Sequence, residues 1–136
     1  MTATPPVIAI RELWNRLGGR DIHSGVTLDV GRGEALALTG SSGSGKTTLL
    51  RSIIGLQVPH RGDIEIFGES LLAATGDARR LLHQRMGMLF QQGALFSALS
   101  VFDNVAFPLR ELRELDESLI RDLVLLKLHQ VGLTAA

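Results

Sequence analysis

The sequence predicts an α/β fold, and three observations carry the prediction. An apolar run, Ala35-Leu36-Ala37-Leu38, leads into a glycine-rich loop and then a helix-like stretch from Leu49 to Ile54. Two alternating segments, Val26-Thr27-Leu28-Asp29-Val30 and Ile64-Glu65-Ile66-Phe67, read as half-buried strands of an antiparallel sheet. Beyond residue 100, two segments of helical periodicity follow, each opened by a capping residue.

The loop between the first strand and helix carries the chemistry. Gly40-Ser41-Ser42-Gly43-Ser44-Gly45-Lys46-Thr47 satisfies the phosphate-binding P-loop pattern, Gly-x4-Gly-Lys-Ser/Thr, with Thr39 before it and Thr48 after it. Glycine at 40, 43 and 45 lets the backbone turn tightly and aim successive N–H groups at phosphate oxygens. The helix that starts near Gly45 adds its N-terminal partial positive charge. Lys46 can reach the β- and γ-phosphates, and the Thr47 hydroxyl can ligate Mg²⁺. A glycine- and serine-rich turn that happens to hold a lysine is the plainer reading, but it has no need of a strand before it and a helix after it.

Composition bounds the remaining possibilities. The chain has 136 residues, 45% hydrophobic and 21% charged, enough for one globular domain with a core. Its formal net charge is zero, so no nucleic-acid partner held by bulk electrostatics is expected. There is no cysteine, which excludes disulfides and thiolate metal sites. No apolar run reaches the length needed to span a bilayer, and Met1 to Pro6 lacks a signal-peptide pattern. A cytoplasmic chain is expected, with membrane association only through a partner.

Taken in order, residues 1–6 read as a disordered leader, since Pro5-Pro6 neither starts a helix nor pairs as a strand. Val7 to Trp14 is a first strand and Leu17-Gly18-Gly19-Arg20 a turn. Leu49, Leu50, Ile53 and Ile54 form the apolar face of the P-loop helix, with Gly55 just past its end. Asp77 to Arg85 reads as a helix with Ala78, Leu81 and Leu82 inward. Met86 to Phe90 reads as a short buried strand ending in Gln91-Gln92-Gly93, and ligands bind at the carboxyl ends of such strands. Ser100-Val101-Phe102-Asp103 is a capping signature, so a helix begins at Val101, and Pro108 is expected to break or kink it. A last helix runs from Glu117 to Val131, capped by Asp116 and stopped by Gly132; its leucines surround most of its circumference, so burial on more than one side is expected.

These residues resemble the nucleotide-binding subunits of ABC transporters. The resemblance covers nearly all of the chain after Pro6. It is carried by Gly31-Arg32-Gly33-Glu34, the P-loop through Arg51, the Gly62-Asp63-Ile64 turn, and Phe90-Gln91. It implies a P-loop NTPase core of the ABC type: residues 7–92 as a catalytic-core part with an antiparallel β-subdomain, and residues 93–136 as the start of the helical subdomain. It implies ATP and Mg²⁺ as cofactors. It gives Gln91 a place beside the Mg²⁺ and the attacking water, from which it relays nucleotide state. It also implies a membrane permease subunit as partner, at the inner membrane. The segments Phe90 to Phe96 and Val101 to Glu111 further resemble the ATPases of Mla- and Mce-type (toluene-tolerance) lipid transporters, so phospholipid or other lipid transport in the bacterial envelope is expected.

Two departures qualify the resemblance. Where many members place an adenine-stacking ring just before the Gly18-Gly19 turn, this chain has Leu17, which offers apolar contact without ring stacking; Trp14, the one ring nearby, reads as a strand-end core residue. Nothing matches the Leu-Ser-Gly-Gly-Gln signature, the apolar strand ending in Asp-Glu, or the switch histidine; His23, His60, His83 and His129 all precede where that switch lies. The chain therefore resembles the N-terminal half of the family protein. By itself it is expected to bind ATP weakly, to turn it over marginally at most, and to self-associate or dimerise through an open strand edge. Two alternatives stand beside this reading: a nucleotide-binding or permease-docking fragment without turnover, and another kind of P-loop NTPase.

Overall fold

The computed structural model describes residues 5–91 and 93–133. Met1 to Thr4, which hold most of the expected leader, and Gln92 lie outside the described residues. The chain divides into two compact units, Met1–Met88 and Leu89–Ala136.

The first unit is built on a four-stranded sheet. β1 (Ile8–Leu17) and β2 (Arg20–Val30) form a hairpin whose two-residue turn, Gly18-Gly19, has φ of +54° and +79°. Both values are positive, as a turn matched to strand twist requires. β1 pairs on its other side with β3 (Arg61–Ile66), and β4 (Glu69–Ser70) follows through the Phe67-Gly68 turn. The order is β2-β1-β3-β4, and every neighbouring pair is antiparallel. The expected antiparallel partnership of the 26–30 and 64–67 segments is present, with β1 between them.

Alternation then decides the core. Ile10 and Leu13 of β1, Ile64 and Ile66 of β3, and Leu71 are buried, and they meet Leu49 of α1 (Lys46–Ile53) and Leu82 of α2 (Gly76–Gln84) in one cluster. Each such side chain contributes about 1.5–3 kcal/mol relative to full exposure. The effect is to seat the helix that follows the P-loop against the antiparallel sheet. On α1 the second fully inward position belongs to Ser52, whereas Leu50 is exposed. On α2 only Leu82 is buried; Ala78 and Leu81 face outward.

Two expected strands are corrected. Residues 35–39 run up to the P-loop without regular strand pairing, and so do residues 86–90. A strand exists through its ladder, and among the described residues neither segment has a neighbour in a sheet. Met88, Leu89 and Phe90 are accordingly exposed rather than buried, Leu89 to 90%.

The second unit pairs α3 (Val101–Leu112) with α4 (Glu117–Gln130). Ser100 caps α3 by accepting from the Asp103 N–H, and Asp116 caps α4 by accepting from the Leu119 N–H, as expected from the sequence. Ala106, Ile120, Val124 and Leu128 are the buried centre, with Phe102, Val105, Leu109 and Leu115 packed around them. Pro108 does not break α3; the helix runs on to Leu112 and closes on Arg113 at φ +56°. Proline removes one N–H, while the Ser100 cap and the packing of Val105, Ala106 and Leu109 against α4 hold both sides of it. Burial of α4 is confined to one stripe, since Leu119, Leu125 and Leu126 are exposed. Among the described residues no helix is long and apolar enough to cross a membrane.

Candidate nucleotide-binding site

The N-terminus of α1 lies at the centre of the site. Its N-cap is Gly45, which supplies no side-chain acceptor, and its first turn contains no acidic residue. The first-turn N–H groups therefore have neither a capping oxygen nor a carboxylate competing for them, which suits an anionic ligand. Gly45 has φ +93°, and a Cβ there would sit 2.6 Å from both His23 Nε2 and Ile22 Cγ2. Conformation and crowding both require glycine at this position.

The loop before it closes on itself. The Ser44 N–H donates to Ser41 O at 3.2 Å, and Gly40, at φ +150°, approaches Ser44 so closely that a Cβ would lie 2.8 Å from its Oγ. Lys46 Nζ donates to Gly40 O at 2.9 Å, to Ser41 O at 2.7 Å and to Ser44 Oγ at 3.3 Å. The ammonium is thus folded over the loop. A phosphate offers it stronger, charge-assisted partners than these neutral oxygens.

A cleft of about 260 Å³ opens beside this loop, lined by Leu17, Ile22, Gly43, Gly45, Lys46, Thr47 and Thr48. The β1–β2 hairpin supplies its apolar lip and the P-loop its polar floor. Leu17, singled out from sequence only by position, is 52% exposed at that lip. Trp14 takes no part: its ring stands edge-on to His60, with the Arg61 guanidinium 5.9 Å from its centroid. Gln91 belongs to the other unit, in an exposed turn closed by the Gly93 N–H donating to Phe90 O. The residues brought together within one unit are Leu17 and the Gly40–Thr48 loop.

Three polar residues beneath the cleft were not singled out as site residues from the sequence. Asn15 of β1 and Ser52 of α1 are fully buried, and Asn15 pairs in register with His23 of β2. Asn15 Nδ2 lies 3.1 Å from both His23 Nδ1 and Ser52 Oγ. Ser52 Oγ donates to Thr48 O at 3.0 Å. Burial pushes the His23 imidazole below its ordinary value, because desolvation penalises the charged form. The available hint was polar side chains at inward positions of an otherwise apolar pattern. Among the described residues, no group of three His, Cys, Asp or Glu could hold a metal ion.

Residues 23–134 match the ABC transporter family model. The chain belongs to the ABC transporter family. It is 45% identical to the intermembrane phospholipid transport system ATP-binding protein MlaF of Haemophilus influenzae over 130 residues, covering 96% of this chain and 49% of MlaF. It is 43% identical to the probable ribonucleotide transport ATP-binding protein mkl of Mycobacterium leprae over 126 residues, covering 93% of this chain and 36% of mkl. The chain thus spans about half the length of the first of these curated ABC relatives and about a third of the second. The dimeric, post-hydrolysis structure of the ATP-binding cassette MJ0796 bound to ADP and Pi is similar at TM-score 0.75 and 25% identity, covering 87% of this chain and 54% of that one. The expected ABC-type α/β fold is therefore present.

Proposed function

We propose that the chain binds ATP with Mg²⁺ through its P-loop, as part of the ATP-binding subunit of an ABC transporter. The observation that carries this reading is the cleft in which Leu17 and Ile22 face Gly43 and residues 45–48. Its two halves suit the two halves of a nucleotide, an apolar wall for the base and uncapped N–H groups with Lys46 for the phosphates. The Thr47 hydroxyl, on the second residue of α1, is the protein donor for Mg²⁺. One hydroxyl beside a phosphate cradle fits this ion, which is usually held by one or two protein groups together with substrate phosphates and waters. When bound there, the ion would supply charge neutralisation to the nucleotide's phosphates. Gln91 is assigned to the metal and the attacking water on the family resemblance alone.

Phospholipid transport in the bacterial envelope is the cargo this reading assigns, supported by the 45% identity to MlaF. The same reading assigns a membrane permease as partner, attachment at the cytoplasmic face of the inner membrane through it, and a dimer as the working form, the last supported by the dimeric state of the ATP-binding cassette MJ0796. Titration of the purified chain with MgATP tests the first step. Saturable binding that falls at least tenfold in Lys46→Ala is expected, since charge-assisted hydrogen bonds contribute about 1.5–3 kcal/mol each. Equal binding by the two proteins refutes the reading. Cargo is tested by reconstituting the transporter with its permease and following labelled phospholipid and labelled ribonucleotide in parallel.

A further inference from the structure

We propose that His23 is a positioning residue for the nucleotide cleft, fixed by Asn15 in the Nε2–H tautomer and braced against Gly45. This inference rests on the nucleotide-binding reading and adds a residue to it.

Asn15 and Ser52 are completely buried, and buried polar side chains persist where their hydrogen bonds are complete. The Ser52 hydroxyl faces two acceptors, Thr48 O at 3.0 Å within its own helix and Asn15 Oδ1 at 3.3 Å. Its oxygen accepts one hydrogen of the Asn15 amide nitrogen, at 3.1 Å. The other hydrogen of that nitrogen points to His23 Nδ1, also at 3.1 Å. With both Asn15 donors engaged, Nδ1 is an acceptor and the ring proton resides on Nε2. That edge of the ring rests on the P-loop: a Cβ on Gly45 would meet Nε2 at 2.6 Å and Cε1 at 3.2 Å.

One chain of contacts therefore joins β1, β2 and the first turns of α1 at the end where the cleft opens. Ile22, adjacent to His23, presses on the same face of Gly45 and lines the cleft itself. The His23 ring and Ile22 together thus set how the Leu17-bearing hairpin meets the phosphate loop. An apolar ring at position 23 would fill the space but leave the Asn15 donor unpaired and the ring orientation unset. On these segments Arg16 is committed to Asp21 at 2.7 Å and Lys46 to the loop oxygens.

The test compares wild type with His23→Phe, which keeps the ring and removes the acceptor, and His23→Gln, whose amide oxygen restores one. MgATP affinity is expected to fall roughly 5- to 10-fold in the Phe variant, the effect of one lost hydrogen bond on positioning, and to stay within about threefold of wild type in the Gln variant. The ¹⁵N shifts of His23 in the nucleotide-free chain should show Nδ1 unprotonated and Nε2 protonated. Wild-type affinity in His23→Phe, equal losses in both variants that follow their melting temperatures, or a protonated Nδ1 each overturn the proposal. If the wild type fails to bind MgATP, the nucleotide reading falls and the positioning role falls with it. A correct tautomer in that case still separates a sound brace from a wrong ligand.

Discussion

Leu17 and Lys46 line one cleft, although 28 positions of sequence separate them (46 minus 17, less one). The hairpin turn places the leucine opposite the P-loop, at the position where family resemblance leads one to expect a stacking ring. Leu17→Tyr should therefore tighten ATP binding by about 0.5–1.5 kcal/mol, the range for aromatic pairs beyond area burial. Calorimetric titration with ATP and with tripolyphosphate checks this. The gain should appear for ATP alone, because the triphosphate has no base to stack.

Gly45→Ala should damage both fold and site. Its φ of +93° disfavours any side chain, and the added methyl meets His23 and Ile22 at 2.6 Å. A destabilisation of roughly 1–3 kcal/mol is expected from backbone strain and overpacking together. Urea unfolding measures it, and MgATP affinity should fall as well. Gly43→Ala is the control: φ there is +81°, but no atom lies within 4 Å of the added carbon. It should cost strain without the clash.

Helix caps are the testable weak points of the second unit. Ser100→Ala and Asp116→Ala each remove the only side-chain oxygen that caps their helix. Losses of about 0.5–2 kcal/mol apiece are expected. Far-UV circular dichroism during thermal unfolding reads them, and the two losses should be close to additive if the caps act independently.

Acid should act in two stages. Burial lowers the His23 pKa, so its neutral form stabilises the fold fully above the unfolded value of about 6.5, and this stability is lost as pH falls through the depressed native value. Asp103, Asp116 and Glu117 are also lowered, chiefly by hydrogen bonds from Ser100, Ser118 and Arg110 respectively. Their contribution is present above the unfolded carboxylate range near 4 and disappears as pH falls below it. Denaturant midpoints measured at successive pH values should decline first in the sheet-bearing unit, through His23, and at lower pH in both units, since the Arg16 hydrogen bond lowers Asp21 as well. His23→Phe should abolish the first decline alone.

The local elements were legible wherever the cause was local. Gly18-Gly19 specified its turn, Ser100 and Asp116 specified their helix starts, and alternation placed Ile64 and Ile66 in the core. Residues 35–39 and 86–90 were misread because an apolar run says nothing about whether a neighbouring strand exists to pair with it. The break expected at Pro108 does not occur, for the converse reason. Its local penalty is real, but contacts with α4 outweigh it.

By itself the sequence determined the backbone of the loop, because glycine at 40, 43 and 45 meets a requirement of positive φ that short spacing expresses in full. It also determined the family, since the family model matches residues 23–134. Only the tertiary structure decided what surrounds the loop. Closing the β1–β2 hairpin over α1 brought Leu17 and Ile22 to the cleft, and made Asn15, His23 and Ser52 one buried chain of hydrogen bonds. Contacts between residues distant in sequence depend on how the sheet packs against the helix, and no local pattern records that.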